Sequence, residues 1–311
     1  MSKDLGLSVA AGLASALVFL SVLTGGGMGV LLAYLMPLPL VMIGFSRGLW
    51  QALLAAAVAL VAVAVVAPSG ALAFAATTLL PTGILVPVVL RRRQAADGRT
   101  EWHPVGSLLA WLALVAVVVV VAGTSLTAAQ GTGFEDQARA YVTQVLDQVA
   151  PQAPPDMRSG AIALWSALFP AMLGCGWLLM VVLNGLLAQW IVAKAGQASR
   201  PTPAYAEMEL PLWSLAILAV AVLVGVTIGG NVGYLARNAA VILIVPQTLA
   251  GLTVVHRTLR GRPNRGVLLA LFYVVFFVMF GWSLVAVAGL GLVRHWTRLR
   301  RRQVESSQEE K

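Results

Sequence analysis

Residues 49–67 read LWQALLAAAVALVAVAVVA: 19 positions, none of them charged, with Arg47-Gly48 before and Pro68-Ser69-Gly70 after. A helix rises ~1.5 Å per residue, so this stretch is about as long as the ~30 Å hydrocarbon core of a bilayer is thick. Backbone groups inside hydrocarbon find no water, which forces such a run to be a helix rather than an open strand. Comparable apolar runs lie on either side, at 7–23, 28–45, 71–90, 105–121, 161–192, 210–228, 235–255 and 266–293. Glycine, proline or arginine clusters separate them, as at Gly25-Gly26-Gly27, Arg91-Arg92-Arg93 and Gly229-Gly230-Asn231.

Composition closes the alternative. Hydrophobic residues make up 59% of the 311 and charged residues 11%, against roughly 25% charged in soluble domains. The mean hydropathy is +0.87. A soluble globule of this size has too few polar side chains here to cover itself. The expected fold is all-α, a polytopic transmembrane helical bundle of about 9–10 membrane segments.

The net charge of +9 is explained by where the charges fall. With a cytoplasmic N-terminus and one crossing per run through Val255, twelve basic residues face inward: Lys3, Arg47, Arg91, Arg92, Arg93, Arg99, Lys194, Arg200, Arg257, Arg260, Arg262 and Arg265. Arg139, Arg158 and Arg237 lie outside, a strong positive-inside bias that leaves no role for nucleic acid as a partner. The run at 266–293 is 28 residues, too long for one untilted span. A hairpin turning near Phe280-Gly281-Trp282 keeps the six basic residues of the tail inside and both termini cytoplasmic, with two short arms of about 21 Å each. A single tilted span is the other reading. The organisation expected is an N-terminal five-helix membrane bundle over 1–123, an extracytoplasmic loop with an amphipathic helix over 124–160, C-terminal membrane helices over 161–296 and a cytoplasmic tail over 297–311. The 161–192 run carries Pro170, which permits a kink or a protruding first two turns.

In the outer loop Phe134, Ala138, Tyr141, Val142, Val145, Leu146 and Val149 recur at helical spacing. That helix either rests on the outer headgroups or forms a lid. None of the 12 acidic residues falls in the middle of an apolar run, which argues against proton relays and aspartate-held metals. One cysteine (Cys175) and three scattered histidines (His103, His256, His295) argue against a metal cluster. No Walker, HExxH or G-x-S-x-G motif occurs. Neither catalytic residues, nor a metal, nor any cofactor is expected, and the protein does not read as an enzyme.

What remains inside the membrane is backbone irregularity and neutral polarity. Pro37 and Pro39 interrupt the second run and Pro81 the fourth, each freeing a carbonyl on the preceding turn. Asn184 lies in the sixth run, and Arg237, Asn238 and Gln247 in or beside the eighth. Together these seven are the candidate ligand-binding residues, the alternative being amides that bond helix to helix. Arg237 is either an anion hook or a snorkelling interface residue. In the first span Ala10, Gly12, Ala14 and Ala16 form overlapping small-xxx-small pairs, suited to close packing within the fold or against another membrane subunit.

The segments Tyr34-Leu35-Met36-Pro37-Leu38-Pro39-Leu40, Gly44-Phe45-Ser46-Arg47-Gly48, Leu80-Pro81 running to Arg91-Arg92-Arg93, and Gly289-Leu290-Gly291-Leu292-Val293 before an arginine tail resemble the YybS-like family of bacterial polytopic membrane proteins over nearly the whole chain. That family is distantly similar to the substrate-binding S components of energy-coupling-factor transporters and to the rod-shape protein MreD. The resemblance implies a helical binding fold before about Val121, placement in the bacterial cytoplasmic (inner) membrane, and docking of another subunit on Ala10 and Ala14. The chain differs from S components in its additional C-terminal spans and in lacking an evident vitamin-binding polar loop. Two functions follow as expectations: a small-molecule binding or transport component, or a membrane scaffold that recruits partners without a ligand.

Overall fold

A computed structural model describes residues 2–23, 32–127 and 133–309. The glycine break at Gly25, Gly26 and Gly27 lies outside the described residues. Within them the protein is an all-α bundle, and six helices are long and apolar enough to cross a bilayer. Its helices are α1 (Ser2–Leu23), α2 (Leu38–Arg47), α3 (Leu49–Val66), α4 (Ala71–Phe74), α5 (Leu80–Val89), α6 (Val105–Thr127), α7 (Phe134–Val149), α8 (Pro155–Lys194), α9 (Leu212–Thr227), α10 (Gly230–Thr258), α11 (Arg265–Val278) and α12 (Phe280–Glu309). A short antiparallel hairpin, β1 (Arg92–Gln94) with β2 (Thr100–Trp102), joins α5 to α6, Arg93 lying opposite Glu101. The chain forms two compact units, Met1–Leu108 with Trp177–Ala204, and Leu109–Gly176 with Tyr205–Lys311. Both α6 and α8 pass from one unit into the other.

In the first unit α1 packs on α2 and α3. A side chain at Gly12 would collide with the Ala55 carbonyl, so glycine is what lets α1 and α3 touch backbone to backbone. Beyond that crossing Ala16, Phe19, Met36, Ala59, Val63 and Phe74 form a core, the Phe19 and Phe74 rings meeting edge to face at 5.1 Å. Gly48 turns α2 into α3 with φ +94 while its N–H bonds the Gly44 carbonyl.

The second apolar run differs from the expected single span. Within the described residues a turn over 34–37 precedes α2, and Pro37 and Pro39 open that helix instead of interrupting it. The physical reason is that proline lacks the N–H that a first-turn residue leaves unbonded anyway. Pro81 likewise stands in the first turn of α5, preceded by one wide turn over Ala75–Leu79 that keeps the chain helical. The sixth run lengthens to the 40 residues of α8, ~60 Å, so it continues beyond the hydrocarbon at one end at least.

In the second unit α10 is the central helix, packed by α9 and α12. Side chains at Gly251 and Gly291 would strike the Val287 and Gln247 carbonyls, so α10 and α12 lie at backbone distance. Contacts advance together along the two helices, Thr248 with Leu284, Gly251 with Val287 and Thr253 with Arg294, so they run parallel. The turn at Met279 is therefore level with the middle of α10, about 21 Å from either end. Residues 259–264 spend their length in tight turns, the Arg260 N–H bonding Arg257 O (3.0 Å) and the Arg262 N–H bonding Leu259 O (3.3 Å), so α11 itself must climb back to reach the turn. Residues 265–294 are a hairpin that enters to half depth and returns to the arginine-bearing end of α10. α7 is fastened in the same unit: the Phe134 N–H donates to Asn231 Oδ1 (3.2 Å), Arg158 pairs with Asp147, and the Tyr141 ring lies 5.1 Å from Phe169.

Candidate functional site

Unit one holds Asn184 and the irregular turns around Pro37 and Pro81. The turn over 34–37 leaves two carbonyls for side chains: Met36 O accepts Ser15 Oγ (2.7 Å) and Tyr34 O accepts Asn184 Nδ2 (2.5 Å). The same Nδ2 donates to Met180 O (2.7 Å). Both partners are acceptors, which fixes the amide with its nitrogen toward them. Asn184 Oδ1, on a residue 1% exposed, has no partner among the described residues.

Beside it the wide turn before Pro81 is patched by side chains. Thr77 Oγ1 donates to Ala73 O (2.7 Å), Thr82 Oγ1 to Thr78 O (2.7 Å), and Trp177 Nε1 to Ala76 O (3.4 Å). Thr78 itself is fully buried, and its hydroxyl has no partner among the described residues. The Trp177–Ala76 bond and the contact of Gly185 with Leu85 hold the second half of α8 alongside α4 and α5. Two unpartnered polar oxygens thus lie on neighbouring segments of an apolar unit. Each costs about 1–3 kcal/mol when nothing donates to it.

Unit two uses its polar groups differently. Pro170 deprives α8 of one backbone donor and pushes the adjoining turn open. Tyr234 Oη donates to Ser166 O (2.7 Å), Asn238 Nδ2 to Ala167 O (3.0 Å) and to Tyr234 O (2.9 Å), and the Ala171 N–H donates to Asn238 Oδ1 (2.9 Å). Asn238 is thereby wholly engaged in mending a proline gap. Gln247 is 2% exposed and donates to Ser214 Oγ at 3.4 Å, while Ser214 donates to Pro211 O. Arg237 is exposed and closes the end of α9 through Gly225 O (3.1 Å). Of the seven sequence candidates, Pro37, Pro39, Pro81 and Asn184 belong to one unit, and Arg237, Asn238 and Gln247 to the other. On α1, Gly12 and Ala16 are buried against the fold, Ala14 is half-buried and Ala10 exposed.

Sequence reasoning missed Arg200, counted only as an orientation charge. It is 7% exposed: Nη1 donates to Val89 O (3.1 Å), Nη2 to His103 O (3.1 Å), and the guanidinium lies 5.6 Å from the Trp102 ring. Its carbonyl accepts Gln189 Nε2 (3.1 Å), and the adjacent Ser199 N–H bonds Phe45 O. One arginine therefore ties together the ends of α5 and α8 and the β-hairpin. His103 beside it has a buried Nε2 without a partner among the described residues. Its pKa is held below the usual 6.5, first by burial and then by the charges of Arg91 and Arg200. Proline at 201 and 203, which keeps this loop extended, is the one nearby signal in the sequence.

Comparison with curated proteins and with solved structures gives no match. The family model described as "Predicted membrane protein (DUF2232)" matches residues 12–293, taking in every span from α1 to the half-depth hairpin. With a match over most of its length, this multi-pass membrane chain belongs to the predicted membrane protein family DUF2232.

Proposed function

We propose that the protein binds a small neutral molecule in its first unit, as a binding or transport component similar in role to the S components, in the bacterial cytoplasmic membrane. The observation that supports this is the pair of unpartnered oxygens, Asn184 Oδ1 and Thr78 Oγ1, beside the Pro37 and Pro81 turns. Asn184 has already used its nitrogen, so the ligand must donate a hydrogen bond to it. Charge on the ligand would find no counter-ion along these apolar segments, which favours a neutral amide, hydroxyl or ring N–H compound. The role is binding and not catalysis, in keeping with apolar runs free of carboxylates.

The test is thermal unfolding of purified protein against a panel of neutral metabolites. A stabilising compound is expected, and its shift should vanish in Asn184→Leu while persisting in Gln247→Leu. A panel without any shift, or a shift indifferent to Asn184, removes the reading.

A scaffold role is the second reading, favoured by exposed Ala10 and half-buried Ala14 on the face of α1 turned away from Gly12 and Ala16. It predicts a defined membrane partner in a mild-detergent pull-down that is lost when both alanines become leucine.

A further inference from the structure

The half-depth hairpin is electrically one-sided. Its turn at Met279 carries no charge, whereas the link into α11 carries Arg257, Arg260, Arg262 and Arg265 within nine positions. All four are exposed, and none makes an ion pair among the described residues. Left-handed backbone at Gly261 (φ 82) and Asn264 (φ 62) folds that link tightly, concentrating the guanidinium groups at one corner. Directly beyond Arg265 the surface becomes apolar: Val267 is 68% exposed, Leu271 61% and Val274 59%. Four unpaired cations above a bare hydrocarbon face are the complement of one kind of molecule, an anionic headgroup carrying acyl chains. Arginine suits phosphate because its planar fork donates two parallel bonds.

We infer that the α10–α11 corner is a binding site for an anionic phospholipid, its phosphate taken by Arg257, Arg260, Arg262 and Arg265 and its acyl chains laid along α11. This inference stands apart from the ligand proposed for the first unit.

The test uses full-length protein, purified in mild detergent and exchanged into an equal mixture of phosphatidylglycerol and phosphatidylcholine, with retained lipid counted by native mass spectrometry. Wild type is expected to keep phosphatidylglycerol in clear preference. Arg260→Gln with Arg262→Gln should lower that preference more than tenfold, near-surface arginines contributing roughly fivefold each. Arg91→Gln with Arg92→Gln, equally basic and in the other unit, should leave it unchanged. Equal retention of the two lipids, an unaffected Arg260/Arg262 variant, or equal losses in both double variants would each overturn the site. So would full displacement by inorganic phosphate, which would show a phosphate pocket indifferent to lipid. Should the glutamine variant aggregate, replacing the four arginines with lysine preserves charge and orientation. Loss of the forked geometry should then still reduce retention, and undiminished retention would refute the assignment.

Discussion

Asn184 and Asn238 are the same residue in the same kind of place, each about 1% exposed in an apolar helix, and they do opposite things. Asn238 makes two bonds to α8 across the gap left by Pro170 and a third to Tyr234 O in its own helix, so both ends of its amide are engaged. Asn184 uses only its nitrogen and keeps a bare oxygen, as does Thr78 on a neighbouring segment. The difference lies in the prolines. Pro170 sits inside a helix and creates both donors and acceptors in need, whereas Pro37 stands at a helix start and leaves only carbonyls wanting. An amide's role in a membrane is thus set by what its neighbours lack.

The largest expected effect follows from replacing Asn238 with leucine. That strands Ala167 O and the Ala171 N–H, and should cost about 2–3 kcal/mol in reversible detergent unfolding. Asn184→Leu frees two carbonyls but also removes a stranded oxygen, so its cost should stay within ~1 kcal/mol. Equal losses would erase the contrast.

Next in size is the coupling with proline. In a Pro170→Ala background α8 can bond itself, and Asn238→Leu should become milder by roughly 1–2 kcal/mol in a double-mutant cycle. Zero coupling would mean that Asn238 does not serve the gap.

Smaller and opposite in sign, Thr78→Val should leave the ligand-free protein as stable or up to ~1 kcal/mol more stable, since it deletes a buried hydroxyl without a partner. A marked loss would reveal a donor or acceptor at Thr78 and weaken the ligand reading.

The smallest effect is the pH response of His103. Its folded-state pKa lies below 6.5, so the unfolded chain binds more protons as the pH falls past that value. Stability should decline from about pH 6.5 downward, level off once the folded form is also protonated, and stay flat above. Among the described residues, the charges that act on this ring are those of Arg91 and Arg200. His103→Asn should remove the slope, and a slope that survives belongs to another group.

Much of the fold could be read from residue order because hydrocarbon leaves so few options. Among the described residues the apolar runs are helical apart from the turn over 34–37, and the charge count that favoured a hairpin over 266–293 is matched by the turn at Met279. Turn chemistry was harder. A proline mid-run looks the same whether it kinks a helix or begins one; the outcome depends on backbone partners such as Ser15 and Trp177, which come from segments far away in sequence. The site was half legible for that reason. Amides can be spotted, but whether Asn184 or Asn238 keeps an oxygen free is decided by long-range pairing. Arg200 was illegible, because a loop arginine reads as an orientation charge until the carbonyls of Val89 and His103 close around it.

The half-depth hairpin bears on how the chain is made. Past Arg237 no basic residue needs to traverse the hydrocarbon. The insertion machinery can therefore hand over the apolar run 266–293 sideways into one leaflet, with no further translocation work and no dependence on the membrane potential.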